Sequence, residues 1–347
     1  MNEKNRSIYF YIPRNKWPDD YIPEIPENYW QWYQSRSSRY LSMYHWILQT
    51  YLHLKADGFP CQLIDTMPTE GIVLSHRYSL PDNLQPQPRL LIVCIQADNK
   101  PHPYAQLHLV QNPTQETSRQ WLTLRECYYI PHWTHPGLIP RDPSRGNKFE
   151  NIAFFGYDEN LAPELKQTLW YEQLNNLGLN WYVVSRQNHF NDYSYVDAIL
   201  AVRSFQSSDQ YNWKPATKLH NAWRAGVPAI LGCESAFRSE RKSELDYIEV
   251  ASLSDVISAL KRLRDDLEFR QAMVDNGKVR AEDTEPDKMV NQWKSFLINK
   301  AIPAHERWCS TPVWRQQAFL KSRRYVTLKL EGIQRRLQSV IFRLRGT

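Results

Sequence analysis

The chain has 347 residues, of which 42% are hydrophobic and 23% charged, with a formal net charge of +6. These proportions belong to an ordinary globular protein and exclude a disordered or collagen-like chain, and the length suggests two domains. No run of about 18 apolar residues could span a membrane, and the N-terminus has no signal-peptide core, so a cytoplasmic protein is expected.

In chain order, Ile8 to Ile12 reads as a first strand, followed by a Pro-rich loop and a helical stretch from about Asn28 to Lys55 that stops at Asp57-Gly58. Short apolar runs recur at Cys61–Ile64, Ile72–Leu74, Leu90–Ile95, Leu107–Val110 and Tyr128–Ile130. Uninterrupted Val/Ile/Leu runs suit strands buried on both faces, as in parallel sheets. The Pro/Gly/Arg-rich segment His132–Lys148 reads as a linker. Beyond it, strand and helix alternate. Ile152–Phe155 ends at Gly156, a helix runs from Ala162 to Leu177, and strands follow at Trp181–Val184 and Ala198–Val202. A helix from Ala216 to Ala225 is stopped by Gly226 before the strands Pro228–Leu231 and Tyr247–Val250. Ser254–Asp265, Glu268–Gly277 and Asp287–Leu297 read as closing helices. This alternation predicts a doubly wound parallel sheet, whose ligands bind beyond the carboxyl ends of the strands.

The stretch from Trp213 to Ser235 carries the chemistry. It predicts a loop, a helix entered at Pro215, a Gly stop, a buried strand and a polar loop. The helix N-terminus offers unpaired N–H groups and a positive dipole end. Lys214 and Lys218 add two cations there, a combination suited to a diphosphate. Arg203 closes the preceding strand and is placed for the same group, and Glu234 could meet sugar hydroxyls or cap the next turn. The backbone of Gly232 to Ser235 should face the cleft.

Pro215, Lys218-Leu219, Ala225-Gly226, Pro228 and Ile230 together resemble the donor half of nucleotide-sugar-dependent glycosyltransferases of the GT-B fold, with a group 1-like C-terminal domain. The likeness spans about residues 150–300. It implies an α/β architecture of two Rossmann-like doubly wound domains facing a cleft, here with a C-terminal basic helical tail. The expected division is an acceptor-side domain at 1–140, a donor-binding domain at 149–300 and a tail at 301–347. The implied activity is transfer of a sugar from a nucleotide-sugar donor to a saccharide or lipid-linked acceptor. A nucleotide-sugar-binding module or an epimerase on the same fold is the alternative. By the same resemblance Lys218 would neutralise the donor diphosphate, with Arg203, Lys214, Asn221, Glu234 and Ser235 around the donor. Asn221 falls where many relatives have a ribose-binding Glu, and the other acidic position of that pattern falls at Trp213. No metal or cofactor is expected, since no Asp-x-Asp triplet is present and the leaving diphosphate can be held by cations and a helix dipole.

A general base from the first half is sought at the carboxyl end of a strand. His76 closes the Ile72–Leu74 run, Asp98 closes Leu90–Ile95, and His102 lies just beyond. His76 also reads as a hydrogen-bonded core residue and Asp98 as a turn residue. His132 and His135 flank Trp133 between Pro131 and Pro136, which prevents a helical pair of metal ligands. Hinge packing is the expectation there, with stacking on a sugar the other reading. Cys61, Cys94, Cys127, Cys233 and Cys309 form a scattered odd set and read as reduced thiols.

Between Thr311 and Thr347 nine Lys/Arg face one acid, Glu331, so the positive charge gathers in the tail. A nucleic-acid partner is not expected, because the basic footprint does not spread over the folded body. From Val326 the apolar residues Leu330, Ile333, Leu337, Val340 or Ile341, and Leu344 recur at helical spacing. A cationic helix with such a stripe either lies on an anionic membrane or packs within the protein.

Overall fold

Most of the continuous apolar runs become parallel strands buried on both faces, while the edge strands at 62–64, 126–129 and 180–184 stay partly exposed. The computed structural model describes residues 7–18, 21–36, 40–117, 125–186, 189–206, 209–327 and 329. In the first unit, β1 (Ile8–Tyr11), β2 (Gln62–Ile64), β3 (Glu70–His76), β4 (Arg89–Ile95), β5 (Leu107–Val110) and β6 (Glu126–Tyr129) form one parallel sheet in the order β2-β1-β3-β4-β5-β6. The central pair, β3 and β4, is buried along all but its first residues, with Ile72 opposite Leu91 and Leu74 opposite Val93. In the second unit, β7 (Asn151–Phe155), β8 (Asn180–Val184), β9 (Ala198–Ala201), β10 (Ala229–Leu231) and β11 (Ile248–Glu249) form a second parallel sheet ordered β11-β10-β9-β7-β8.

Both sheets therefore repeat one winding: the second strand lies outside the first, and the later strands, four in the first sheet and three in the second, lie on the other side. The chain reverses direction between β1 and β3, and again between β7 and β9. At such a switch point neighbouring connections leave on opposite faces and open a crevice at the carboxyl ends. Two doubly wound parallel sheets are the architecture expected from the sequence.

Three elements differ from expectation. The long first helix is two, Tyr29–Gln34 and Leu41–Ala56. Ser35 caps the first and its hydroxyl bonds back to Trp32 O at 2.8 Å, a local bond that competes with helix continuation. Residues 162–177 are a 3-10 turn, Pro163–Lys166, and then the helix Thr168–Leu177.

The third difference moves a domain boundary. The helix Pro286–Phe296, expected to close the second domain, packs into the core of the first. Met289, Val290, Trp293 and Phe296 join Phe10 and Trp46 there, with the Trp293 ring 6.5 Å from each of those two rings. The helix Ile302–Ser310 and a helix over 313–327 follow on the same unit. The latter buries Gln316, Leu320, Arg323 and Thr327 on one face. Gln316 donates to Pro88 O at 3.1 Å and Arg323 to Gln106 O at 3.3 Å. The start of the tail is thus part of the first unit, while its stripe from Leu330 to Leu344 lies outside the described residues. No described helix is long and apolar enough to cross a membrane.

Candidate functional site

The helix Thr217–Ala225 starts two residues after Pro215 and ends at Gly226, which takes the left-handed conformation at φ 70°. It sets Thr217 and Lys218 in its first turn, beside the switch point between β7 and β9. Gly156, at the end of β7, lies beside Lys218. A Cβ on Gly156 would stand 2.9 Å from the Phe154 ring and 3.6 Å from Lys218 Nζ.

A cavity of about 280 Å³ lies here, between the two units. Arg203, Lys214 and Lys218 bring three cations to its wall, and no carboxylate lines it among the described residues. The Thr217 hydroxyl is buried in the same wall with no partner among them. Lys218 forms no ion pair among them either, and its ammonium lies 5.4 Å from the Phe154 ring. Burial, and then the charge of Arg203, pushes its pKa down to about 7. Arg203 is braced by Glu234 at 3.3 Å and by Asn160 at 2.8 Å.

Across the cavity stand His45, His132 and His135. His45 and His132 stack at 4.4 Å and 17°. Burial lowers all three pKa values, those of His132 and His135 to about 4, so the rings are neutral at pH 7. Their tautomers follow from their partners, because a carbonyl only accepts. His132 Nδ1–H donates to Trp133 O at 2.7 Å and His135 Nδ1–H to Pro136 O at 3.0 Å. Each therefore keeps its lone pair on Nε2. His45 Nε2–H donates to Trp133 O at 3.3 Å.

The structure gathers some of the residues selected from sequence and disperses others. Arg203, Lys214, Lys218 and Asn221 line the cavity; Glu234 and Ser235 do not. Glu234 is buried behind Arg203 as its counter-ion, not presented to a sugar. Ser235 Oγ accepts from Asn112 Nδ2 at 2.9 Å, which fastens the two units together. The Asn221 carbonyl oxygen is taken by the His135 N–H at 3.0 Å. Asp98 reaches across to Lys214 at 2.6 Å and is steadied by Gln111 at 2.6 Å.

His76 is placed unfavourably for a base. It is buried, its Nδ1 accepts from the Tyr78 N–H at 3.2 Å, and its Nε2 has no partner among the described residues. The lone pair is thereby committed and the proton sits on Nε2. Burial, and then Lys16, lowers its pKa to about 4. His102 uses both ring nitrogens in backbone bonds, to Tyr104 and Ala105 N–H and to Pro81 O, and serves the fold. Trp133 packs in the hinge as expected, bonded to Thr50 at 2.8 Å and stacked on His53 at 4.5 Å. Its neighbours His132 and His135 face the cleft instead. His45 was not selected from sequence at all: within Tyr44-His45-Trp46 it reads as one more buried helix position. Among the described residues no group of three His, Cys, Asp or Glu is placed to hold a metal ion.

No family model and no curated protein matches the chain. Among solved structures it is similar to HepE of Anabaena in complex with UDP, at 10% identity over 84% of this chain and 100% of that one, with a TM-score of 0.47. It is also similar to sucrose-phosphate synthase from Thermosynechococcus elongatus, at 13% identity over 75% and 78% of the two chains, TM-score 0.48. A third is a UDP-forming trehalose-phosphate synthase from Burkholderia vietnamiensis, at 10% identity over 82% and 83%, TM-score 0.46. With TM-scores below 0.5, these likenesses do not bear on the chemistry of the cavity.

Proposed function

We propose that the chain transfers a glycosyl group from a nucleoside-diphosphate sugar to an acceptor hydroxyl. The observation that carries this reading is the wall formed by Arg203, Lys214, Lys218 and the Thr217 hydroxyl at a helix N-terminus, facing neutral imidazoles across a cavity in which, among the described residues, that hydroxyl has no partner and no acid lines the wall. Three cations and helix N–H groups suit a diphosphate. Neutral imidazoles suit sugar hydroxyls, which both donate and accept.

In this reading the bond from the sugar C1 to the diphosphate oxygen breaks, and its electron pair leaves with the diphosphate. The cations stabilise that charge, so no divalent cation is needed and a chelator leaves turnover unchanged. The acceptor oxygen forms the new bond to C1. Its proton passes to the Nε2 lone pair of His132 or His135, or to Asp98 once the diphosphate draws Lys214 away. Acceptors are saccharides or lipid-linked saccharides. The tail, with Lys329, Arg335, Arg336 and Arg343 off the apolar stripe, meets an anionic membrane surface.

The test is a panel of UDP, GDP, TDP and ADP sugars. A true donor stabilises the fold by mass action, about 2.7 kcal/mol at a hundredfold excess over its dissociation constant, and releases nucleotide only with an acceptor present. Binding without turnover would make the chain a binding module, sugar isomerisation without acceptor an epimerase, and no nucleotide binding at all would reject the reading.

A further inference from the structure

A cavity of about 320 Å³ lies where the helix Ile302–Ser310 and the helix over 313–327 return onto the first unit. Pockets that take small organic molecules begin near this size, at about 300–1,000 Å³. It forms at the amino ends of the strands: Leu107 opens β5, Glu126 opens β6 and Leu91 lies early in β4. The cavity between the units lies beyond the opposite ends, where His132 follows β6. The two share no lining residue. A ligand held here is therefore kept away from the transfer chemistry.

The wall is apolar and the rim is cationic. Leu91, Leu107, Ala304 and Trp308 are buried, and Phe319, 37% exposed, belongs to the same wall. The polar groups of the wall are committed to the fold. Gln106 bonds Ile92 N–H and Leu90 O, Gln316 donates to Pro88 O and Trp308 O, and Thr311 donates to Arg307 O. A nucleotide or a sugar would find few partners for its hydroxyls there, and burying them unpaired is costly. Arg307 and Arg315 are exposed, and neither forms an ion pair among the described residues. One carboxylate lines the cavity, Glu126, and it accepts from the Tyr128 hydroxyl at 3.0 Å. Outside the described residues, 118–124 contain no acid and 330–347 contain one against four arginines. Behind the wall, Arg323 donates to Gln106 O at 3.3 Å and stands 5.4 Å from the Phe319 ring. Its Nε and Nη2 are buried with no partner among the described residues. Burial, and then Arg125, lowers its pKa to about 10, so it stays charged at neutrality.

We propose that this cavity binds a long-chain carboxylate, its alkyl chain along the buried wall and its carboxylate between Arg307 and Arg315. A guanidinium fork meets a carboxylate through two parallel hydrogen bonds, and each methylene removed from water favours binding. The proposal does not depend on the donor reading, because the cavity lies at the other end of the first sheet.

The test is calorimetric titration of the full chain with hexanoate, octanoate, decanoate and decanol, each kept monomeric and near neutrality. Affinity should rise about threefold to fourfold per methylene along the carboxylates, and decanol should bind about tenfold or more weakly than decanoate. Arg307→Glu/Arg315→Glu, at two exposed positions, should bring decanoate to or below the level of decanol and leave the melting temperature in place. Ala304→Leu narrows the cavity and should weaken decanoate more than hexanoate; should it fail to fold, the charge variant carries the test alone. Failure of every probe to bind, affinity independent of chain length, or equal decanoate binding by wild type and charge variant overturns the proposal. Competition by UDP overturns it as well, because the probe would then sit between the units. So does binding seen only in a chain ended after Lys329, which would make the apolar stripe beyond it the occupant.

Discussion

At the scale of the residue, the donor reading turns on Lys218. Its pKa of about 7 means that the ammonium is half populated at neutrality, held down by burial and by Arg203. A bound diphosphate favours the charged form, so the complex holds the proton to higher pH than the open cavity does. UDP affinity should therefore be greatest below pH 7 and fall by up to about tenfold per pH unit above it, until the bound-state pKa is passed. Titration calorimetry from pH 6 to 9 reads this directly, and a flat profile would remove Lys218 from the diphosphate. Lys218→Ala should raise the dissociation constant by about one to two decades, since a charge-assisted contact is worth about 1.5–3 kcal/mol, and should abolish the pH dependence. The base is decided by comparing four variants at saturating donor. His132→Ala, His135→Ala or Asp98→Asn should lower turnover by about 10²–10⁴. His76→Ala should not, because its lone pair is held by the Tyr78 N–H. A large loss in His76→Ala alone would restore the assignment suggested by sequence. The neutral imidazoles, with pKa values near 4 for His132 and His135, should keep turnover level down to about pH 5 on the acid side.

At the scale of the element, the helix Thr217–Ala225 was legible because its signals are local. Pro215 before it, Gly226 after it and the buried strand β10 beyond are all short-range patterns, and the structure places Lys218 in the first turn they define. The parallel strands were legible for a related reason: Leu90 to Ile95 has no polar alternation, so both faces had to be buried. What the sequence concealed depends on packing between distant elements. His45 reaches His132 only because the helix Leu41–Ala56 is laid against the connection between the units. Asp98 meets Lys214 across 116 positions of chain. Local signals also make local predictions. Gly226→Ala forces a Cβ into the left-handed region and should destabilise the fold by about 1–2 kcal/mol, read as a lower urea midpoint with unaltered slope. Gly156→Ala would set a Cβ 2.9 Å from the Phe154 ring at a backbone φ of 157°, so its loss should fall on stability, while Lys218 Nζ at 3.6 Å stays in ordinary contact. A variant with an unaltered urea midpoint would show that the Phe154 ring gives way without cost.

At the scale of the whole molecule, the two units are joined by polar contacts and by a chain that returns. Asn112 bonds Lys214 O and Ser235 Oγ, Tyr129 bonds Glu240, and Asp98 pairs with Lys214. The helix Pro286–Phe296 then carries the chain back onto the first core, and the buried face of 313–327 extends it. The sequence suggests a boundary near residue 300 because closing helices follow the last strand, and nothing in their periodicity says which sheet they cover. This return changes how the basic tail must be tested. Removal of 312–347 would take away Leu320, which is 1% exposed, together with Gln316 and Arg323. Loss of a buried leucine side chain alone costs about 2–5 kcal/mol, so that truncation should unfold at a clearly lower temperature and its failure to bind vesicles would mean little. A chain ending at Lys329 keeps the buried face and discards most of the stripe and four of the arginines. It should retain the wild-type melting temperature and UDP affinity while losing co-sedimentation with anionic vesicles. Equal vesicle binding by this shorter chain and the full one would sink the membrane role of the tail, and a lowered melting temperature would assign residues 330–347 to packing instead.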